Sequence, residues 1–424
     1  MVMHMDNQVY LHRNFLCIDL KSFFASCECL ERNLNPFTYP LVVANPNQGN
    51  GAITLAVTPY LKTLGVPSRG RLYEIPKNIK YTIAKPRMNL YLAKSREVVE
   101  IYLKYVAKED LHIYSIDECF LDVTDYLKLY QKTDEELALT ILKDIKESTG
   151  LYATCGIGPN MLLAKLSMDI EAKKNKLFIA KWTYEDIPNK LWKISPLSKV
   201  WGIGPRMEKN LNRLGIYNMY DLAHYDRYKL KQKFGVIGTE LWNHANGIDL
   251  SRIKDMEKVK DKSYSHSQVL FKDYHGENIK IIIREMAEVL SIRLQKNHKT
   301  CSSIGFGIGY SKSIGGGFYH QIKLNEPTDL EKVILANCLM ILDKFYDNLP
   351  IRKVTISCGY LKDKEGVQLN LFDNLQEIKE QEQINEAILE IKDKYGKNAL
   401  LKASSLLNDS TIKERNKKIG GHSA

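Results

Sequence analysis

Two adjacent carboxylates stand inside an apolar run: Tyr114-Ser115-Ile116-Asp117-Glu118-Cys119-Phe120-Leu121-Asp122. Leu111 and Ile113 before it and Val123 after it extend the strand-like pattern. Neighbouring residues on a strand point to opposite faces, so Asp117 and Glu118 are expected to point apart unless a turn or bulge re-aims them. Carboxylates in such a setting are costly without a counter-charge. Two readings follow: a tight turn with the acidic pair solvated at its tip, or a metal site.

A second stretch bears on the choice. Asn14-Phe15-Leu16-Cys17-Ile18-Asp19-Leu20-Lys21-Ser22-Phe23-Phe24-Ala25 reads as a buried strand that ends near Asp19 and turns into a helix. A lone Asp at a strand end is usually a cap or turn residue. Together the two stretches supply three hard oxygen ligands, which suit Mg²⁺, an ion that keeps few protein ligands and leaves room for substrate phosphates. Two such ions can clamp the attacking and leaving oxygens of a phosphoryl transfer.

The pair Asp19-x-x-x-Phe23-Phe24-Ala25 and Ser115-Ile116-Asp117-Glu118 resembles the palm motifs of the Y-family, or translesion, DNA polymerases. Cys155-Gly156-Ile157-Gly158, Leu163-Ala164-Lys165-Leu166 and Gly202-Ile203-Gly204 follow in the family's order. The resemblance runs from about residue 14 to about 360 and is strongest to the UmuC-like branch. It implies an α/β multidomain fold, a right-hand polymerase with palm, fingers, helix-hairpin-helix thumb and ferredoxin-like (βαββαβ) little finger.

Composition agrees with that size and partner. At 424 residues several domains are expected. A formal charge of +11 favours a polyanion, nucleic acid before membrane. The eight cysteines form no paired CxxC units and read as reduced core residues of a cytoplasmic protein. No signal peptide and no membrane-length apolar run is evident.

Taken in order, 1–30 and 86–182 are expected to form the palm and 31–85 the fingers. Helices are predicted over 86–110 and 134–149, and one strand over 52–58. Residues 183–253 are assigned to the thumb, where Gly202, Ile203 and Gly204 match a hairpin whose backbone can approach a DNA phosphate. A charged linker, 254–262, precedes the little finger, 263–361, which reads strand-helix-strand-strand-helix-strand. Lys299, Lys312, Lys323 and Arg352 are candidate phosphate contacts there. A tail, 362–424, opens with Gln368-Leu369-Asn370-Leu371-Phe372.

The resemblance implies roles. Asp19, Asp117 and Glu118 would be catalytic, and with the Leu20 carbonyl would hold two Mg²⁺ ions. Phe23 and Phe24 fall at the family's steric gate, and at least one of them is expected in the core. Lys62 falls where many members carry an Arg toward the triphosphate, and Pro59 where many carry a Tyr. A second triphosphate lysine falls at Lys173, with Lys174 and Lys176 as alternatives because the local spacing is one residue long. Gln368, Leu369, Leu371 and Phe372 resemble the QLxLF peptide that docks on the bacterial sliding clamp. Primer–template DNA, dNTP, that clamp and a UmuD-like accessory subunit are the implied partners. The rival reading is a catalytically weak relative that binds DNA and the clamp as a scaffold.

Overall fold

The computed structural model describes residues 10–255, 262–364 and 375–423. The chain divides into two compact units, Met1–Lys258 and Val259–Ala424.

The first unit is built on a five-stranded sheet. Its strands are β1 (Phe15–Leu20), β2 (Leu111–Ile113), β3 (Glu118–Asp122), β4 (Ala153–Gly158) and β5 (Ile179–Lys181), in the spatial order β5-β4-β1-β3-β2. Only β4 and β5 run parallel. The apolar FLCIDL sequence of β1 is explained by its central place, with β3 on one side and β4 on the other.

Four helices accompany these strands: α1 (Phe23–Leu30), α2 (Met88–Tyr102), α3 (Asp134–Thr149) and α4 (Met161–Ile170). Thr133 and Glu136 form a reciprocal capping box at the start of α3, and Gly150 ends it in the left-handed region. α4 packs on β4 and β1. Gly156 and Gly158 make that approach possible. A Cβ on Gly156 would lie 2.1 Å from the Ala164 carbonyl oxygen, and one on Gly158 would lie 2.4 Å from the Ala164 nitrogen. The Cys-Gly-Ile-Gly motif is therefore a packing surface.

Three sequence expectations shift in detail. The helix expected over 86–110 ends at Tyr102. The single strand expected over 52–58 is two short strands, Ile53–Thr54 and Ala56–Val57, which pair with different partners. Asp117 precedes β3 instead of lying within a strand, so the pleat does not dictate its direction.

Beyond β5 the chain is helical: α5 (Pro205–Asn212), α6 (Met219–Ala223), α7 (Arg227–Phe234) and α8 (Val236–Ala245). Their core includes Trp182, Leu191, Leu211, Leu222, Leu230 and Leu241. Trp201, at the hairpin before α5, donates its indole N–H to the Tyr114 hydroxyl at 3.0 Å, and its ring lies 5.8 Å from Phe120.

The second unit follows the expected order: β6 (Tyr264–Tyr274), α9 (Gly276–Lys296), β7 (Lys299–Tyr310), β8 (Gly317–Thr328), α10 (Glu331–Phe345) and β9 (Ile351–Gly359). The sheet order is β6-β9-β7-β8. Leu270, Ile304, Phe306, Ile308, Val354 and Ile356 form one inner face against both helices. Lys299 and Arg352 are paired with Asp363 and Asp273.

The stretch read as a tail is packed along this unit over residues 375–423. Helix α11 (Leu375–Tyr395) brings Lys392 to Glu288 in a buried ion pair. Buried Glu285 accepts hydrogen bonds from Ser410 and Thr411, and Gln268 donates to the Thr411 hydroxyl. Residues 368–372, with the clamp-like motif, lie outside the described residues.

Candidate active site

Asp19 lies one residue before the end of β1, opposite Glu118 of β3 and Thr154 of β4. Register alone brings these two carboxylates together. Asp117 arrives through the turn between β2 and β3. The N–H groups of Tyr114 and Ser115 both donate to the Glu118 carbonyl at 3.0 Å, and the Leu20 N–H donates to the Asp117 carbonyl at 2.9 Å. Ser115 Oγ donates to Asp117 Oδ1 at 2.7 Å, while Ser95 Oγ of α2 holds the Ile116 carbonyl at 2.6 Å. A tight turn is present, but the acidic pair is not solvated at its tip, since Glu118 begins β3 and is buried. The turn also aims Asp117 toward the end of β1, where it is half-buried.

Charge is concentrated here. Burial pushes the Asp19 carboxyl up to about 6; Lys173 opposes this, and Asp117 and Glu118 reinforce it. Glu118 is buried and accepts from Lys165 Nζ at 2.7 Å and from Cys17 Sγ at 3.4 Å. Lys165, on α4, is itself buried and reaches Asp169 at 3.0 Å. Burial would lower the Lys165 pKa, but Cys17, Asp169 and Glu118 overcome it and the net shift is upward.

Of the three lysines left open by the sequence, Lys173 is brought to Asp19, at 3.3 Å, and to Asp169, at 2.7 Å. Lys173 lies in a 3₁₀ turn, Ala172–Lys174, just after α4. Lys62, on the short helix Pro59–Thr63, faces the same charges. Desolvation lowers its pKa, Asp19 opposes that, and Lys173 adds to it. Lys21 was not singled out from the sequence, yet it belongs here. Its pKa is lowered by desolvation and by Lys62, against the pull of Asp19, and its ammonium lies 4.2 Å from the Phe178 ring centre. Its position two residues after Asp19, at the strand-to-helix turn, was the available signal.

The two phenylalanines part company. Phe23 is buried at 2% exposure and belongs to the core. Phe24 is half-buried and stacks on Tyr91, with ring centres 4.3 Å apart and an interplanar angle of 13°. The Tyr91 hydroxyl donates to Glu28 at 2.8 Å, and Arg87 grips Glu28 through two bonds of 2.9 and 2.8 Å. Phe24 therefore rests on a fixed platform. Tyr91 and Glu28 were not legible as its supports, because their pairing spans some sixty positions of sequence.

At the hairpin, Gly202 and Gly204 are exposed, and Gly202 adopts a φ of 88° that favours glycine. Ile203 is different: its side chain is buried and its N–H is bonded to the Val200 carbonyl at 3.0 Å.

Among the described residues, no three acidic, His or Cys side chains are gathered closely enough to hold an ion as they stand. The donor chemistry nevertheless fits Mg²⁺. The oxygens are hard, and the upward shift of Asp19, which comes first from burial and then from Asp117 and Glu118, is one that a bound cation would oppose. Lysines now carry that compensation, Lys173 for Asp19 and Lys165 for Glu118.

A family model described as the impB/mucB/samB family matches residues 18–169, its C-terminal domain matches 261–371, and the IMS family HHH motif matches 184–216. A protein of Bacillus subtilis (strain 168) named UvrX for UV-damage repair is 39% identical over 98% of this chain and 99% of its own. DNA polymerase IV 2 of the same organism is 32% identical over 96% and 97% of the two chains. Among solved structures, a Y-family DNA polymerase chimera of Dbh and Dpo4 superposes with a TM-score of 0.65 at 20% identity. It covers 81% of this chain and 98% of that one, a likeness of fold.

The raised Asp19 pKa sets a pH dependence. With the folded value near 6 and the ordinary value at 3.8, the folded state holds this proton more tightly. The contribution to stability is full below about pH 4 and is lost as pH rises through 6. In EDTA-containing buffer, Asp19→Asn is expected to remove this slope and to be more stable than the parent at pH 7.5 by about 1–3 kcal/mol. Urea titrations of both proteins at pH 4.5 and 7.5 measure it; an Asn variant less stable at pH 7.5 would contradict the assignment.

Proposed function

Because this chain belongs to the impB/mucB/samB family of Y-family DNA polymerases, we propose that it is a template-directed polymerase that extends a primer opposite damaged template by two-metal phosphoryl transfer. The observation that carries the reading is the meeting of Asp19, Asp117 and Glu118 at the end of β1, faced by Lys21, Lys62 and Lys173. Carboxylates suit metal-bound phosphates, and lysines suit the phosphates themselves.

In this reading the primer 3′ oxygen attacks the α-phosphorus of a bound dNTP. The new phosphodiester bond forms as the bond to pyrophosphate breaks, and the hydroxyl proton passes to water. Asp19, Asp117, Glu118 and the Leu20 carbonyl would hold the two Mg²⁺ ions. When bound, these ions lower the pKa of the hydroxyl and neutralise the leaving phosphates. Lys62, Lys173 and Lys21 would receive the triphosphate, and the Phe24 ring would lie under the sugar. Gly202 and Gly204 would meet a DNA phosphate without regard to sequence. Catalysis is then mainly placement and electrostatics. The scaffold reading is disfavoured because all three carboxylates are present and Asp117 and Glu118 both act on the charge of Asp19.

Asp117→Ala is expected to lower nucleotide addition by at least about a thousandfold, in line with losing preorganised charge stabilisation at a reacting centre. Duplex affinity should stay close to parental. Primer extension in Mg²⁺ with a parallel binding titration decides; near-normal extension by this variant would refute the catalytic assignment.

Phe24→Ala should raise the ratio of ribonucleotide to deoxynucleotide incorporation, because the ring would otherwise collide with a 2′-hydroxyl. Single-nucleotide insertion with paired dNTP and rNTP measures it. An unchanged ratio in a folded variant would return Phe24 to a purely structural role.

Gln368, Leu369, Leu371 and Phe372 would tether the enzyme to the sliding clamp, raising its local concentration at the primer end. Replacing Leu371 and Phe372 by Ala should spare synthesis on short primers and abolish stimulation by the clamp. Equal clamp binding by parent and double variant in a surface assay would sink this part of the reading.

A further inference from the structure

One acidic residue at the site has no part in the chemistry above. Asp169 lies at the end of α4, and its two oxygens are divided between two lysines. Oδ2 takes Lys165 Nζ at 3.0 Å, and Oδ1 takes Lys173 Nζ at 2.7 Å. Each lysine also holds one of the carboxylates already described: Lys165 holds Glu118 at 2.7 Å, and Lys173 holds Asp19 at 3.3 Å. The result is an alternating chain of five charges, Glu118–Lys165–Asp169–Lys173–Asp19.

Its two halves differ in freedom. Lys165 is 7% exposed, lies on the helix that Gly156 and Gly158 seat against the sheet, and is fixed from both sides. Lys173 is exposed, sits just past the helix on the 3₁₀ turn, and makes its shorter contact with Asp169. Both pairs of Asp169 span four residues, Lys165–Asp169 within α4 and Asp169–Lys173 across its end into the turn.

We infer that Asp169 is a positioning residue: anchored by Lys165, it keeps hold of Lys173 while that lysine exchanges Asp19 for the phosphates of an incoming nucleotide. The reasoning is one of competition. Without Asp169, Lys173 has Asp19 as its remaining partner at this site and would sit on the carboxylate that the metal and nucleotide need. With Asp169, the ammonium keeps a partner throughout the exchange, so leaving Asp19 costs less. The inference rests on the polymerase reading and adds to it a residue that touches neither metal nor substrate.

The test uses the full-length protein with primer–template DNA. Asp169→Asn keeps the shape and removes the charge. Equilibrium binding of a non-hydrolysable dNTP to the complex with a dideoxy-terminated primer is expected to weaken about tenfold, the size of one charge-assisted hydrogen bond. KM for dNTP should rise in step, with kcat and DNA affinity within about threefold of parental. Lys173→Ala should show a similar loss, and the double variant should be no worse than Lys173→Ala alone. Asp169→Glu, which still reaches both lysines, should restore most of the affinity. It carries the test if the Asn variant loses its folded signal.

Unchanged nucleotide affinity in a folded Asp169→Asn protein would overturn the inference. So would additive losses in the double variant, or an Asp169→Glu protein as weak as Lys173→Ala. Failure of the underlying reading looks different: Asp19→Ala would then extend primers as the parent does, whatever Asp169 contributes.

Discussion

The constraint on which the site of the first unit turns is the burial of a carboxylate, Asp19, at the end of its central strand. Asp19, Asp117, Glu118 and Asp169 carry four negative charges into a partly desolvated corner. Lys21, Lys62, Lys165 and Lys173 bring four positive ones. The balance is close but not comfortable, since Asp19 remains pushed up to about 6 and its proton is held well above the ordinary range. A fold optimised only for stability would place an amide or an apolar group there. Strain of this electrostatic kind is what a site built to receive cations and phosphates should retain.

The surrounding architecture makes the arrangement tolerable. β1 is paired on both sides, so the backbone beneath Asp19 cannot shift to relieve the charge. α4 lies against β4 only because Gly156 and Gly158 leave no side chains between them, and that closeness delivers Lys165 into the buried layer. Breaking a buried ion pair such as Lys165–Glu118 from one side leaves an uncompensated charge, which typically costs about 3–5 kcal/mol. The same helix continues into the turn that carries Lys173. One element therefore supplies both the fixed and the exchangeable counter-charge. The second unit uses the same device, with buried Glu285 and Glu288 holding the returning C-terminal segment.

Much of this was legible in the sequence. The acidic pair in an apolar run, the Asp at a strand end and the Gly-x-Gly hairpin are local patterns with local causes, and so is the strand-helix order of the second unit. Continuous apolar runs predict β1, β3 and β4, because strands covered on both faces are buried along nearly their whole length. The fold class followed from the order of such elements. That three carboxylates belong to one site was also expected, through the resemblance of the motifs.

What the sequence could not decide was direction and partnership. It left Lys173, Lys174 and Lys176 equivalent, because their order says nothing about where a 3₁₀ turn points a side chain; the packing of α4 brings Lys173 to Asp19. Phe23 and Phe24 are chemically identical, and only the stacking of Tyr91, from a helix far along the chain, separates the core ring from the half-exposed one. Asp169 has Lys165 and Lys173 four residues away on either side, a local spacing; what tertiary structure adds is Glu118 and Asp19 as the other partners of those lysines. The physical reason is common to all three. Residue type and spacing fix which groups a chain must bury or solvate, whereas a charge's partner depends on contacts between segments remote in sequence, which exist only once the sheet and its helices have packed.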